Sequence, residues 1–262
     1  AGRVGPHATT EGLLLNADWQ TWLFLFDDAF CDESDIGRRP TDTVELAGRV
    51  LRVVEGAQVS ARDPNPFLPA LADLRERLRR MATPAQFDRF AGQTVYYLLA
   101  LTWEAAHRER RTLAELDEYV EMRRYSGAVY PCLALIDVIN GFELPSELWS
   151  SPRLREVNEA AADIICWGND IMSYPREIRR STHVLSLPAV LVQADKLTID
   201  EALREAADRH DQRVRDFQRM QAPLLEQGDE RVARYLSDIR SWISGHLAWS
   251  AETRRYELGI AA

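Results

Sequence analysis

Cysteine is scarce in this sequence of 262 residues, and the three cysteines, Cys31, Cys132 and Cys166, form no CxxC pair. An odd and sparse set excludes a disulfide framework and is typical of the reducing cytoplasm. No apolar run approaches the roughly 18 residues that a membrane-spanning helix needs, so we expect no stable membrane insertion. A basic excess is also missing, since the net charge is −9, and we therefore expect no nucleic-acid partner.

Glycine is infrequent too, with 13 residues, and alternating runs of β-branched residues are almost absent. Alanine, leucine, arginine and glutamate dominate instead, and apolar residues recur at helical spacing in nearly every segment. We predict an all-α fold, with residues 1–262 forming one domain built as an antiparallel helical bundle. The predicted helices cover residues 13–32, 42–55, 68–81, 84–107, 112–140 (interrupted near Gly127 and Pro131), 153–179, 183–193, 199–225 and 229–256.

An acidic motif, DDAFCDE at residues 27–33, follows directly on the first predicted helix. Asp28 and Asp32 are four residues apart and share a helix face, and Asp27 flanks them. Carboxylates at this spacing repel one another unless a cation binds, and hard cations such as Mg²⁺ prefer carboxylate oxygens. The alternative is a solvated acidic helix end, which the apolar helix before the motif and Phe30 within it disfavour.

A second polar motif lies on the predicted helix 153–179. Asn169, Ser173 and Glu177 recur every four residues and therefore project from one helix face. An amide oxygen, a hydroxyl and a carboxylate form an all-oxygen set for a hard cation. A polar stripe on a surface helix is the alternative, and the apolar residues around the stripe argue against it.

Together the two motifs resemble the metal-binding motifs of the bacterial class I terpene cyclases. Residues 169–177 are similar to that family's Asn/Ser/Glu triad, and residues 27–33 are similar to its aspartate-rich motif. The commoner aspartate-rich motif has an acid at its fifth position, where this sequence has Cys31, and a variant with its last acid one place later also occurs. The resemblance implies metal binding by Asp27, Asp28, Asp32, Asn169, Ser173 and Glu177. A salt bridge is the alternative role of Asp28.

Further matches follow in the family's order along the chain. Arg123 precedes Asn169 by 46 residues, which is the spacing of the family's diphosphate-sensing arginine. Ser126 and Gly127 occupy its effector region, although the family often has Asp where this sequence has Ser126. The resemblance implies catalytic roles for Arg123, Ser126 and Gly127. It implies diphosphate binding by Arg123, Arg176, Arg255 and Tyr256.

The resemblance implies the class I terpenoid synthase fold around a central apolar cavity. Three Mg²⁺ ions would bind an isoprenyl diphosphate, the C–O bond would ionise, and the carbocation would cyclise. Metal ions and arginines suit a leaving group that gains negative charge. The family's use favours farnesyl diphosphate, with geranylgeranyl and geranyl diphosphates as alternatives, and the cyclic product is left open.

The carbocation needs an inert wall, and aromatic faces stabilise positive charge without attacking it. The candidates for this cavity wall are Phe24, Phe30, Trp242 and Trp249. Ordinary core packing is the alternative for each of them. We expect closure over the substrate by the segments near residues 37–40 and 180–183, because water would quench the cation.

Other functions remain as alternatives. A chain-elongating prenyl synthase would need a second aspartate-rich motif in place of the triad, and a class II cyclase would need an Asp-x-Asp-Asp run. A carboxylate di-iron bundle needs two Glu-x-x-His motifs, and only Glu104 and His107 form one, so we interpret both as structural. A non-catalytic helical scaffold is the remaining class. A homodimer is left open by analogy, and we expect part of the family's N-terminal segment to be missing.

Overall fold

The computed structural model describes residues 1–32, 34–181 and 183–256, and only the backbone of Cys31, Asp32 and Arg254. These residues form eleven α-helices and no strand, which agrees with the all-α prediction. The helices are α1 (Thr10–Asp27), α2 (Pro40–Val54), α3 (Phe67–Met81), α4 (Pro84–Arg110), α5 (Leu116–Ser126), α6 (Val129–Ile139), α7 (Ser146–Trp149), α8 (Pro152–Arg180), α9 (Leu187–Asp195), α10 (Ile199–Leu225) and α11 (Glu230–Glu252). Each of them is too short or too polar to traverse a lipid bilayer.

Capping residues fix the starts of the long helices. Thr83 accepts from the backbone N–H of Gln86 while the Gln86 side chain accepts from Thr83, and Thr198 and Glu201 form the same reciprocal box. Such a box satisfies two amides that have no partner within the helix. The predicted start of α4 and both predicted ends of α10 are therefore confirmed, whereas α4 continues past the predicted end at residue 107.

The predicted interruption of residues 112–140 separates α5 from α6. Ala128 links them in a left-handed conformation, with φ of 53°. Pro131 causes no break, because it lies in the first turn of α6, where its missing N–H has no helical acceptor. Every residue of α6 is buried, so this helix forms the centre of the bundle.

Other predicted helix ends also differ from the observed ones, most clearly in α1, α9 and α11. The α-helical hydrogen bonding of α1 ends at Asp27 and a π-helical turn, Asp28–Asp32, replaces it. Helix α9 begins at Leu187, since Ser186 is extended and Pro188 sets the first turn. Helix α11 stops at Glu252 because Thr253 is extended, and a 3₁₀ turn, Arg254–Tyr256, follows.

Aromatic side chains of α1 anchor this helix in the core. Trp19 stacks on Trp22 with ring centroids 5.4 Å apart, and Trp22 stacks on Phe26 at 4.6 Å. All three side chains are buried. Because the opposite side of α1 carries Phe24 and Asp27, packing of this aromatic row orients the acidic end of the helix towards a cavity inside the bundle.

Candidate active site

A cavity of about 490 Å³ opens between α1, α4, α5, α6, α8 and α11. Both oxygen-rich motifs line it. Asp27 and Asp28 reach it from the end of α1, and Asn169, Ser173 and Glu177 reach it from one face of α8. The structure therefore brings to one cavity two motifs that are far apart in the sequence.

The three triad side chains differ in how they are held. The Oδ1 atom of Asn169 accepts from Arg123 Nη2 at 3.1 Å, and its Nδ2 donates to the Tyr256 hydroxyl at 2.6 Å. The Oγ of Ser173 is buried and makes no hydrogen bond to any described group. A buried hydroxyl without a partner is costly unless a ligand or ion completes it. Its position between Asn169 and Glu177 on α8 fits an oxygen ligand of a hard cation.

The aspartate-rich motif is joined to the C-terminal turn. Arg255 donates Nη1 to Asp28 Oδ2 at 2.8 Å and Nη2 to Asp28 Oδ1 at 2.6 Å. This fork raises the pKa of Arg255, with its hydrogen bond to Asp28 as the main cause. Asp28 is thus engaged in a salt bridge, the role foreseen as an alternative to metal binding. Asp27 lines the cavity, and the side chain of Asp32 lies outside the described residues.

A buried ion pair orients Arg123. Asp170 accepts from Arg123 Nε at 3.0 Å and Nη2 at 2.9 Å, from the Leu187 amide at 3.1 Å, and from the Tyr119 hydroxyl. Burial opposes the charge of Arg123, but the nearby carboxylate of Asp170 outweighs it and raises the pKa of Arg123. Burial also raises the pKa of Tyr119, so its hydroxyl stays protonated and donates.

Asp170 is a residue that sequence reasoning missed. It directly follows Asn169, the first residue of the triad, but the sequence analysis predicts no role for it. Tyr119 and Arg123 lie four residues apart on α5 and therefore share a face. This shared face, together with the acid directly after Asn169, is the sequence signal that could have indicated the buried contact.

Close packing shapes the backbone at Ser126 and Gly127. A Cβ atom added at Gly127 would lie 2.4 Å from Cys166 Sγ, so only glycine lets α5 approach α8 this closely. Ser126 is buried beside it, and its Oγ makes no hydrogen bond in the described part of the chain. Both residues line the cavity.

Two of the four aromatic residues predicted for the cavity wall line the cavity. Phe24 and Trp242 line the cavity, and the guanidinium of Arg255 lies 4.9 Å from the Phe24 ring centroid. Phe30 is not among the described lining residues, because the π-helical turn directs it onto Phe26 and Phe67, each 5.2 Å away.

Trp249 is also displaced from the predicted wall. It packs behind the lining, with its ring centroid 5.3 Å from Phe24 and 5.8 Å from Tyr256. We correct the prediction for Phe30 and Trp249, which support lining residues instead of facing the cavity.

The remaining predicted residues also line the cavity. Arg176 and Tyr256 line it, and burial raises the pKa of Tyr256. The two predicted closing segments also reach it, since Arg38 and His183 are lining residues. Arg176, Glu177 and Asp27 each make further contacts.

The residues of the single Glu-x-x-His motif make local contacts. Glu104 accepts from Arg108 Nη2 at 2.8 Å, and His107 Nδ1 lies 3.1 Å from the Thr112 carbonyl oxygen. Within the described ranges, no group of three or more His, Cys, Asp or Glu side chains is placed to hold a metal ion. The amide, hydroxyl and carboxylate side chains on α8 line the same cavity as Asp27 and are of a mixed type that such a group does not include.

Known proteins are similar to this chain in sequence and in architecture. The family model for terpene synthase family 2, C-terminal metal binding, matches residues 18–216. A 4-epi-cubebol synthase of Streptosporangium roseum, named as cyclising farnesyl diphosphate, is 33% identical over 98% of this chain and 77% of its own length. A (+)-T-muurolol synthase of Roseiflexus castenholzii, named for the same substrate, is 34% identical over 98% and 78%.

A solved structure is similar throughout the chain. The SVS_A2 protein, obtained by ancestral sequence reconstruction, superposes with a TM-score of 0.89 at 28% identity, over 95% of this chain and 74% of that one. The likeness therefore covers nearly the whole chain.

Proposed function

The chain belongs to terpene synthase family 2 and is a terpene cyclase with the class I fold, and we propose that it cyclises farnesyl diphosphate. The observation that carries the proposal is the meeting of both oxygen-rich motifs and Arg123 in one cavity of about 490 Å³. That volume suits a small hydrophobic ligand. Both relatives are named as cyclising farnesyl diphosphate, which supports the farnesyl chain over longer or shorter ones.

We propose Mg²⁺ as the metal, with three ions, held by Asp27, Asp32, Asn169, Ser173 and Glu177. The donor set is all oxygen, which a hard cation prefers over thiolate or imidazole. The unpartnered Oγ of Ser173 supports a ligand at this point of α8. When bound, the ions would act as Lewis acids on the diphosphate and stabilise its growing negative charge.

The chain's own residues would bind and orient the diphosphate. Arg123, fixed by Asp170, presents its guanidinium beside Asn169 at the cavity. Arg255 and Tyr256 approach from the C-terminal turn, and Arg176 from α8. Guanidinium groups bind phosphate oxygens in pairs, and a preorganised guanidinium stabilises charge that develops on the leaving group without reorganising.

The apolar part of the cavity would hold the cation. Phe24 and Trp242 offer aromatic faces, which attract a cation and do not react with it. Trp249 fixes Phe24 from behind at 5.3 Å. Closure of the mouth would exclude water from the intermediate.

Turnover with three substrates tests the proposal. The protein is incubated with Mg²⁺ and geranyl, farnesyl or geranylgeranyl diphosphate, while released diphosphate is assayed and the hydrocarbons are identified by mass spectrometry. We expect a cyclic C15 product from farnesyl diphosphate. Cyclic products from only one of the other substrates would overturn the farnesyl assignment, and no diphosphate release from any would overturn the function.

Variants of α8 test the metal site. Asn169→Ala and Glu177→Gln should abolish diphosphate release while circular dichroism shows an unchanged helical fold. Glu156→Gln is the matched control, because Glu156 is an exposed carboxylate on the same helix. Full activity in either site variant would contradict the metal assignment.

A further inference from the structure

A terpene cyclase ends its reaction by releasing a proton, and a base must accept it inside the cavity. If the last carbocation loses a hydrogen from a neighbouring carbon, the C–H electron pair becomes the new double bond and the proton leaves. If the cation captures water, a C–O bond forms and the bound water loses the proton. Both routes need a proton acceptor within reach. The inference below rests on the proposed function.

The carboxylates of the cavity are committed to other groups. Glu104 accepts from Arg108 at 2.8 Å, and Asp170 receives the four hydrogen bonds described above. Asp28 is held by both Nη atoms of Arg255. Asp27 and Glu177 belong to the proposed metal site. Each of these carboxylates is therefore bound to a cationic group or assigned to the proposed metal site.

The two cavity thiols are also unsuitable. Cys132 and Cys166 both line the cavity. Burial raises the pKa of each thiol to about 12. At neutral pH both stay protonated, and a neutral thiol is a poor proton acceptor.

Two histidines of the cavity remain, and they occupy different places. His183 lies at the mouth, where burial and the charges of Arg108, His107 and Arg111 lower its pKa. His246 lies on α11, one turn after Trp242 and facing the cavity. In the described part of the chain, His246 makes no hydrogen bond, so its ring nitrogens are not occupied by a neighbour.

We propose that His246 is the base that accepts the proton released when the final carbocation is quenched. One ring nitrogen receives the proton and the imidazole becomes an imidazolium, while the electron pair stays in the new double bond or on the hydroxyl oxygen. The imidazolium then returns its proton to solvent or to the departing diphosphate when the cavity opens.

The surroundings of His246 suit that role. Burial lowers the pKa of His246 to about 4, and the nearby His210 and the guanidinium of Arg123 act in the same direction. The ring is therefore neutral at pH 7, with a free lone pair and no charge to repel the cation. A carbocation is a far stronger acid than an imidazolium, so even this weak base accepts its proton. Trp242, one turn earlier, and Trp249, with its centroid 6.2 Å from that of His246, place aromatic groups around it.

The test separates product formation from ionisation. His246→Phe, His246→Gln and His246→Ala are assayed with farnesyl diphosphate and Mg²⁺ for diphosphate release and for the distribution of terpene products. His7→Gln is the control, because the side chain of His7 is 57% exposed and is not a lining residue. We expect the control to keep the wild-type products.

In the His246 variants we expect diphosphate release within about threefold of wild type. The share of the main wild-type product should fall at least about tenfold in favour of products quenched at other carbons. Added imidazole should restore the main product of His246→Ala, because it replaces the missing base. An unchanged distribution in all three variants, or a change that imidazole does not reverse, would overturn the proposal. Absence of diphosphate release from the wild type would instead refute the proposed function.

Discussion

Replacing Asp170 with Asn tests whether a buried ion pair sets the position of Arg123. The substitution keeps the shape of the side chain and removes its charge. The side chain of Asp170 is 3% exposed and that of Arg123 is 16% exposed, so solvent cannot replace the lost carboxylate. Breaking one partner of a buried pair leaves an uncompensated charge and costs about 3–5 kcal/mol.

We expect the free energy of unfolding of Asp170→Asn to fall by about 3 kcal/mol, at the lower end of that range, because the amide oxygen still accepts hydrogen bonds. Urea-induced unfolding followed by circular dichroism measures the change. Misplacement of Arg123 should also lower kcat/KM for farnesyl diphosphate by about 100-fold.

An exposed pair supplies the control. Asp73 lies 3.0 Å from Arg77 on α3, and its side chain is 69% exposed, so Asp73→Asn should change the free energy of unfolding by less than about 1 kcal/mol. If Asp170→Asn is no more destabilising than Asp73→Asn, the argument that a buried carboxylate fixes Arg123 fails.

Three further predictions follow from contacts at the cavity. Gly127→Ala should destabilise the protein by about 1–3 kcal/mol, since its Cβ would lie 2.4 Å from Cys166 Sγ, and adding Cys166→Ala should recover most of the loss in a urea titration. Native-state alkylation at pH 8 should leave Cys132 and Cys166 unmodified, because burial raises the pKa of each to about 12, and mass spectrometry after digestion would detect any adduct. Arg255→Lys should lower kcat/KM at least about tenfold, because a lysine cannot reproduce the fork on Asp28, and steady-state kinetics of diphosphate release would show a wild-type value if the fork were irrelevant.

Helical periodicity and capping chemistry account for what could be predicted of the fold. Thr198 and Glu201 form a local box between residues only three apart in the sequence, so the start of α10 could be predicted without knowledge of the tertiary structure. The end of α11 could not be predicted in this way. Thr253 is extended where the C-terminal turn folds back onto α8, and the hydrogen bond from Asn169 to Tyr256 is a long-range contact.

For the site, as for the fold, only the local features could be predicted from the sequence. Residues 169–177 carry three oxygen-bearing side chains at a spacing that any straight helix places on one face, so their common direction followed from geometry alone. Phe30 and Trp249 were misplaced because spacing along a helix does not say which face meets the cavity. The π-helical turn rotates Phe30 into the core, and the arrangement of α1 against α11 puts Trp249 behind Phe24.

Asp170 was missed for a related reason. A buried acid beside a metal motif looks like another ligand in the sequence. Only packing of α5 against α8 and α9 shows that Arg123, Tyr119 and the Leu187 amide enclose it. Burial is a property of the assembled bundle, and it determines whether a carboxylate binds a cation or fixes an arginine.

The central claim is that two oxygen-rich helix ends hold one cluster of cations around one diphosphate. A crystal structure of the protein with Mg²⁺ and inorganic diphosphate tests it most directly. We predict ions bound to Asp27 on one side and to Asn169, Ser173 and Glu177 on the other, with Arg123 on the diphosphate. Ions bound at only one motif, or diphosphate bound away from Arg123, would contradict the account.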